Sequence, residues 1–146
     1  MFRLKKQYWL WLALLAAGLD AVFKFFALSS LPEQPSRSPF PIDIVLHKNR
    51  GIAFDIELGL PIVFILSFLI LGWLLIDADK HWFSHNKRSV ANLVIVIGAL
   101  GNLVDRVIHG FTTDYLYVLT AVINISDILV LFGVLLLLRY TRNTTG

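Results

Sequence analysis

Four apolar stretches, each broken by only a few charges, constrain this chain more than anything else in it. Crossing a hydrocarbon core of roughly 30 Å takes about 20 helical residues, and the stretches near residues 8–28, 59–76, 90–108 and 119–138 approach or reach that length. Lipid offers no partner to backbone N–H and C=O groups, so each stretch must satisfy its own as a helix. The composition agrees, with 57% of the 146 residues hydrophobic and 16% charged and a mean hydropathy of +0.72. The predicted fold class is therefore an all-α membrane protein of four transmembrane helices. With no internal repeat and no low-complexity tail, residues 1–146 read as a single domain.

The first stretch raises a second possibility. "MFRLKK" followed by "QYWLWLALLAAG" is patterned like the basic and apolar regions of a secretory signal peptide. Its apolar character continues past Ala17 through "LDAVFKFFALSSL", further than such a region runs, so it is read as a retained helix. Only Asp20 and Lys24 interrupt it, and their spacing of four puts them on one helical face, where they can pair.

The charges suggest an orientation. Lys and Arg gather at the N-terminus (Arg3, Lys5, Lys6), between the second and third stretches (Lys80, Lys87, Arg88) and near the C-terminus (Arg139, Arg142). Fewer lie on the other side, at Arg37, Lys48, Arg50 and Arg106. The positive-inside rule then predicts a multi-pass protein with both termini cytoplasmic. The chain has no cysteine, which excludes disulfides and thiolate chemistry.

The longest connection, 29–58, begins as a Pro- and Ser-rich loop. Its second half, "PIDIVLHKN" and "GIAFDIEL" around "NRG", alternates β-favouring residues and predicts a small hairpin-like β element between the first two helices, on the extracytoplasmic side. The connection "HGFTTDYLYVLT" is aromatic and amphipathic, as befits a headgroup boundary.

An ionised carboxylate in hydrocarbon is costly, so an acid within a span is a functional candidate that faces the bundle interior. Asp105 ends the third stretch and Asp127 opens the fourth. On a helical hairpin the two can meet at similar depth. Carboxylates that share a site resist double ionisation and hold one proton between them. Such a pair can activate water and protonate a leaving amine, which are the two tasks of peptide hydrolysis. Asn102 and Asn124 each precede an acid by three residues and share its helical face, placed to orient a carboxylate or hold a substrate carbonyl.

A purely structural account stays open at this point. Asp105 and Arg106 could form an interfacial ion pair, and Asp127 could cap its helix or bond Asn124. So does a proton- or ion-coupled relay through Asp20, Lys24, Asp105 and Asp127. His81 and His85 have a metal-ligand spacing, but no third ligand lies near them. Glycine-rich phosphate loops and Ser-based nucleophile motifs are missing from the sequence.

In order along the chain, "LDAVFK", "NRGIAF", "GALGNLVDR", "TTDY" and "NISD" resemble the segments of the bacterial lipoprotein signal peptidases, over nearly the whole length. The resemblance implies an aspartic endopeptidase of the bacterial inner membrane, active toward its extracytoplasmic face. It would remove signal peptides from prolipoproteins carrying diacylglycerol, cutting before the lipidated cysteine. By motif, Asp105 and Asp127 match the catalytic pair. Asn49, Gly51, Asn102, Arg106 and Asn124 match substrate-binding or dyad-supporting positions, and Asp20, Lys24 and Asp114 match structural polar ones. The resemblance implies no metal or other cofactor, no nucleic-acid partner, contact with membrane lipid, and a monomer. Ile123, Ser126, Asp55 and Tyr115 depart from the family pattern, which has Phe, Ala, a small residue and Phe there. An inactive lipoprotein-binding homologue is a further alternative.

Overall fold

The computed structural model of the chain describes residues 6–33, 40–51, 59–83 and 87–142. Along the chain these form helix α1 (Lys6–Ser30), strand β1 (Ile42–Asn49), helices α2 (Leu60–Lys80) and α3 (Arg88–His109), strands β2 (Thr112–Val118) and β3 (Ala121–Ile123), and helix α4 (Ile125–Arg142). Three of the four helices, α1, α2 and α3, are long and apolar enough to cross a membrane.

Local chemistry sets the ends of these elements. Gly59 caps α2, with Pro61 in the first turn, where a missing N–H costs nothing. Gly110 ends α3 in the left-handed region at φ 78°, its N–H bonded to Arg106 O at 3.1 Å. At the start of α4, Asn124 and Asp127 cap reciprocally. Asp127 N–H donates to Asn124 Oδ1 at 2.9 Å and Asn124 N–H donates to Asp127 Oδ2 at 3.2 Å.

Helix α3 lies at the centre and packs against α1, α2, α4 and β2. Ser89, Val90, Ala91, Asn92, Val94, Ile95 and Val96 are all buried along it. Leu71 and Leu74 of α2 meet Ile95, Val96 and Leu103 on one side, and Ala13 of α1 and Leu129 of α4 meet Val90 and Val94 on another. The outer surface is apolar instead, with Phe25, Phe26, Leu69, Phe68, Val107 and Leu135 all exposed. That inverts a soluble protein and is what a lipid-facing bundle requires. Helices in lipid associate through close packing, and Gly98 supplies it: a side chain there would run into the Ser126 carbonyl and Leu129 Cβ of α4. At one end of the bundle Asp77 of α2 accepts Arg88 Nε and Nη2, both at 2.7 Å, and Asn92 Nδ2 at 2.6 Å. This clamp holds α2 to α3.

The first half of the predicted β element forms as β1, which pairs antiparallel with β2, and β2 with β3, in the order β1-β2-β3. Two of the three strands thus come from between α3 and α4. The segment "IAFDIEL", 52–58, lies outside the described residues. A bulge between Ile44 and His47 breaks the register and leaves the consecutive residues Val45 and Leu46 both buried. The fourth helix begins at Ile125, six residues later than predicted, because Ala121–Ile123 bond to β2.

Candidate active site

Asp20, Lys24, Asn102, Asp105, Asp114, Asn124 and Ser126 are all buried and all belong to one hydrogen-bonded assembly. They come from α1, α3, β2 and α4, which meet at the end of the bundle that carries the sheet. Its centre is Lys24 Nζ. This nitrogen lies 2.9 Å from Asp20 Oδ2 and 3.1 Å from Asp105 Oδ2, and it donates to Asn102 Oδ1 at 2.9 Å. The side chains of Lys24 and Asp20 are 5% and 2% exposed, so the pairing occurs away from solvent. A buried charge persists only when paired in this way.

The two acids singled out by the sequence are held differently. Asp105 Oδ2 accepts the backbone N–H of Thr113 at 2.9 Å besides Lys24, and its Oδ1 lies 3.7 Å from His109 Nδ1. Asp127 is bound by neutral donors, the Asn102 amide at 2.7 Å and the Asn124 backbone N–H. One side chain, Asn102, therefore touches both the Lys24–Asp105 pair and Asp127. The i, i+3 spacing pairs Asn124 with Asp127, whereas the Asn102 side chain bonds Asp127 on the facing helix and Lys24 on a third instead of Asp105. The expected Asp105–Arg106 pair is absent among the described residues. Arg106 Nη2 instead donates to Gly51 O at 2.8 Å.

A fourth acid completes the assembly on the strand side. Asp114 accepts Asn124 Nδ2 at 2.6 Å and Asn49 Nδ2 at 3.0 Å. Burial, reinforced by the nearby Asp127 carboxylate, pushes the Asp114 carboxyl up to about 7, against the two amide hydrogen bonds that lower it. Asn49 Oδ1 also accepts the Gly51 N–H at 2.9 Å, so Asn49 and Gly51 form a tight turn at the end of β1. The Tyr115 phenol, pushed up by burial and by the Asp20 carboxylate, keeps its proton and donates a hydrogen bond to Asp20 Oδ1 at 2.9 Å. All ten residues anticipated by motif therefore fall in one region. His81 lies elsewhere, its Nδ1 2.8 Å from Asp77 O at the opposite end of α2, and His85 is outside the described residues. Two participants were not anticipated as such: Tyr115 and Ser126 had registered only as departures from a pattern.

A sequence profile described as signal peptidase (SPase) II, peptidase A8, matches residues 12–142. The chain belongs to the signal peptidase II family. Members of this family are aspartic peptidases, and their relatives here are bacterial membrane proteins. The lipoprotein signal peptidase of Clostridioides difficile is 33% identical over 138 residues, covering 87% of this chain and 89% of that one. That of Streptococcus pneumoniae is 31% identical over 136 residues, covering 87% of each. A solved bacterial membrane enzyme superposes with a TM-score of 0.79 at 24% identity, over 96% of this chain and 90% of that one. A second superposes with a TM-score of 0.70 at 25% identity, over 90% of each. The fold of these two membrane enzymes is thus the fold of this chain.

Proposed function

We propose that this chain is the peptidase that removes signal peptides from diacylglyceryl-modified prolipoproteins, with Asp105 and Asp127 as its catalytic dyad. The observation that carries the assignment is Asn102. It holds Asp127 through Nδ2 while its Oδ1 receives the lysine that sits on Asp105, so two acids from facing helices share one buried polar centre.

The chemistry follows from a dyad that holds one proton. The ionised carboxylate takes a proton from water, and the oxygen adds to the scissile carbonyl. The protonated carboxyl supports the developing oxyanion and the departing nitrogen receives a proton, so that the C–N bond breaks and two peptide ends result. Burial matters here, because polar groups fixed in a low-dielectric site interact more strongly than in water. Asn49, Gly51, Arg106 and Asn124 support the dyad through the turn after β1 and the cap of α4.

We assign α4 as the fourth membrane span and both termini to the cytoplasm, which sets the sheet and the dyad on the extracytoplasmic side of a bacterial inner membrane. A lipidated substrate then reaches the site sideways, its acyl chains in the bilayer and its scissile bond, just before the lipidated cysteine, at dyad depth.

The test is a gel-shift assay with purified protein and a diacylglyceryl-modified prolipoprotein in detergent, beside Asp105→Asn, Asp127→Asn and an unlipidated substrate. Cleavage of the lipidated form alone, and only by the intact dyad, is the expected outcome. Normal cleavage by either variant removes the dyad assignment. No cleavage by folded wild type favours a lipoprotein-binding or ion-relay role, and proton flux into liposomes separates those two.

A further inference from the structure

Asp20 does not touch the dyad, yet its buried carboxylate is fully solvated, and its solvent is the protein itself. It is 1% exposed. Its Oδ1 accepts Tyr115 OH at 2.9 Å and the Ile125 backbone N–H at 3.0 Å. Its Oδ2 accepts Ser126 Oγ at 2.7 Å and faces Lys24 Nζ at 2.9 Å. A carboxylate offers about four lone-pair sites, and all four are met, three of them by neutral donors.

Lys24 is the other half of the balance. An ammonium carries three N–H bonds, and three strong acceptors surround this one: Asp20, Asp105 and Asn102. Its position is therefore a competition among them. With Tyr115, Ser126 and Ile125 sharing the charge of Asp20, that carboxylate holds Lys24 less exclusively, and the ammonium stands between both helices' acceptors.

We infer that in this chain, which has Tyr115 and Ser126 where the family pattern has Phe and Ala, these two are positioning residues for the peptidase reaction: by hydrogen-bonding Asp20 they set Lys24 where it meets Asp105 and, through Asn102, aims Asp127. This inference rests on the dyad assignment above. The packing supports it, because the Ser126 hydroxyl has little freedom: a side chain at Gly101 would collide with Ser126 Oγ and come within 3.7 Å of Asp20 Oδ2. The glycine thus leaves just enough room for the hydroxyl on α4 to reach a carboxylate on α1. Removing both hydroxyls leaves buried lone pairs on Asp20 unmet, and the one mobile donor beside them is Lys24. It would turn toward Asp20 and away from Asp105 and Asn102.

The test compares Tyr115→Phe, Ser126→Ala and the double variant with wild type on a lipidated prolipoprotein in detergent. Asp127→Asn serves as the control for the dyad and Lys24→Met as a second background. The double variant should lose kcat up to about a hundredfold, the loss a displacement on the order of 1 Å brings, with KM within about twofold of wild type. In the Lys24→Met background, followed by single-turnover rates, the same two substitutions should add nothing, because residues acting through one another are not additive.

Three results overturn the inference: an unchanged kcat in the double variant, a loss that only tracks the folded fraction by melting temperature, or an equal loss with and without Lys24. Failure of the dyad assignment reads out separately, as cleavage that survives Asp127→Asn.

Discussion

Asn102 donates its side-chain amide to Asp127 Oδ1 at 2.7 Å, so the acid on α4 is aimed by a residue of α3. The same side chain accepts Lys24 Nζ at 2.9 Å. Asn102→Ala removes both contacts at once. It should lower kcat by about a hundredfold, as expected when a reacting group is left to wander by on the order of 1 Å, with a smaller change in KM. Steady-state rates on a lipidated prolipoprotein check this, and a loss confined to KM would contradict it.

Asp127 has two separable duties, one as half of the proposed dyad and one as half of a helix cap. Asp127→Asn keeps one oxygen that can accept the Asn124 N–H but turns an amide NH2 toward the Asn102 donor, so melting should fall less than in an alanine variant while cleavage disappears. Asp127→Ala loses the cap as well and should cost about 1 kcal/mol of stability. Thermal unfolding in the same detergent separates the two variants.

Asp114 makes stability depend on pH in a defined direction. Its folded value, raised to about 7 from the usual 3.8, means that the protonated form favours the folded state. That contribution is complete below pH 4 and is lost as pH rises through 7. A difference of a single pH unit between folded and unfolded values is about 1.4 kcal/mol, or roughly 3–6 °C in melting temperature for a chain of this size. Wild type should therefore melt lower at pH 8 than at pH 5, and Asp114→Asn should flatten that slope. A slope unchanged in the variant would assign the dependence to other groups.

Gly98 permits a close approach of α3 and α4. A Cβ there would lie 2.6 Å from the Ser126 carbonyl oxygen, a backbone atom with no room to yield. Gly98→Ala should separate the helices at that level and destabilise the protein by about 1–3 kcal/mol, as overpacking does. A melting curve that matches wild type would mean that the helices slide apart without cost.

The membrane helices were legible because burial in lipid demands long apolar runs, and α1, α2 and α3 follow the predicted bounds within a few residues apart from the last turn of α2. The acids and amides were legible for the same reason, since polar residues stand out in such runs. The sheet was not. "LTAVIN" is as apolar as the helix it precedes, so hydropathy merges them, and the turn between β2 and β3 has no glycine to mark it: Leu119 takes φ 57° there, a conformation that costs an L-residue about 1–2 kcal/mol. The partner of β1 lies two helices away in sequence, and no local pattern names a partner at that distance. The reach of Asn102 to another helix's acid was hidden for a similar reason. Spacing along one helix says which face a residue shares, whereas the neighbour across that face depends on how three helices pack.

The pairing of β1 with β2 also sets a timetable. β1 leaves the ribosome two helices before the strand it bonds to, and both must arrive on the same side of the bilayer. Asn49, at the end of β1, meets Asp114 only once α2 and α3 have crossed and returned, and Asp114 meets Asn124 only when α4 follows. A half-inserted chain thus holds acids and amides without their partners. With Asp127 in the proposed dyad, proteolytic competence comes with the last helix, which keeps an unfinished molecule from cutting anything in the membrane it is still entering.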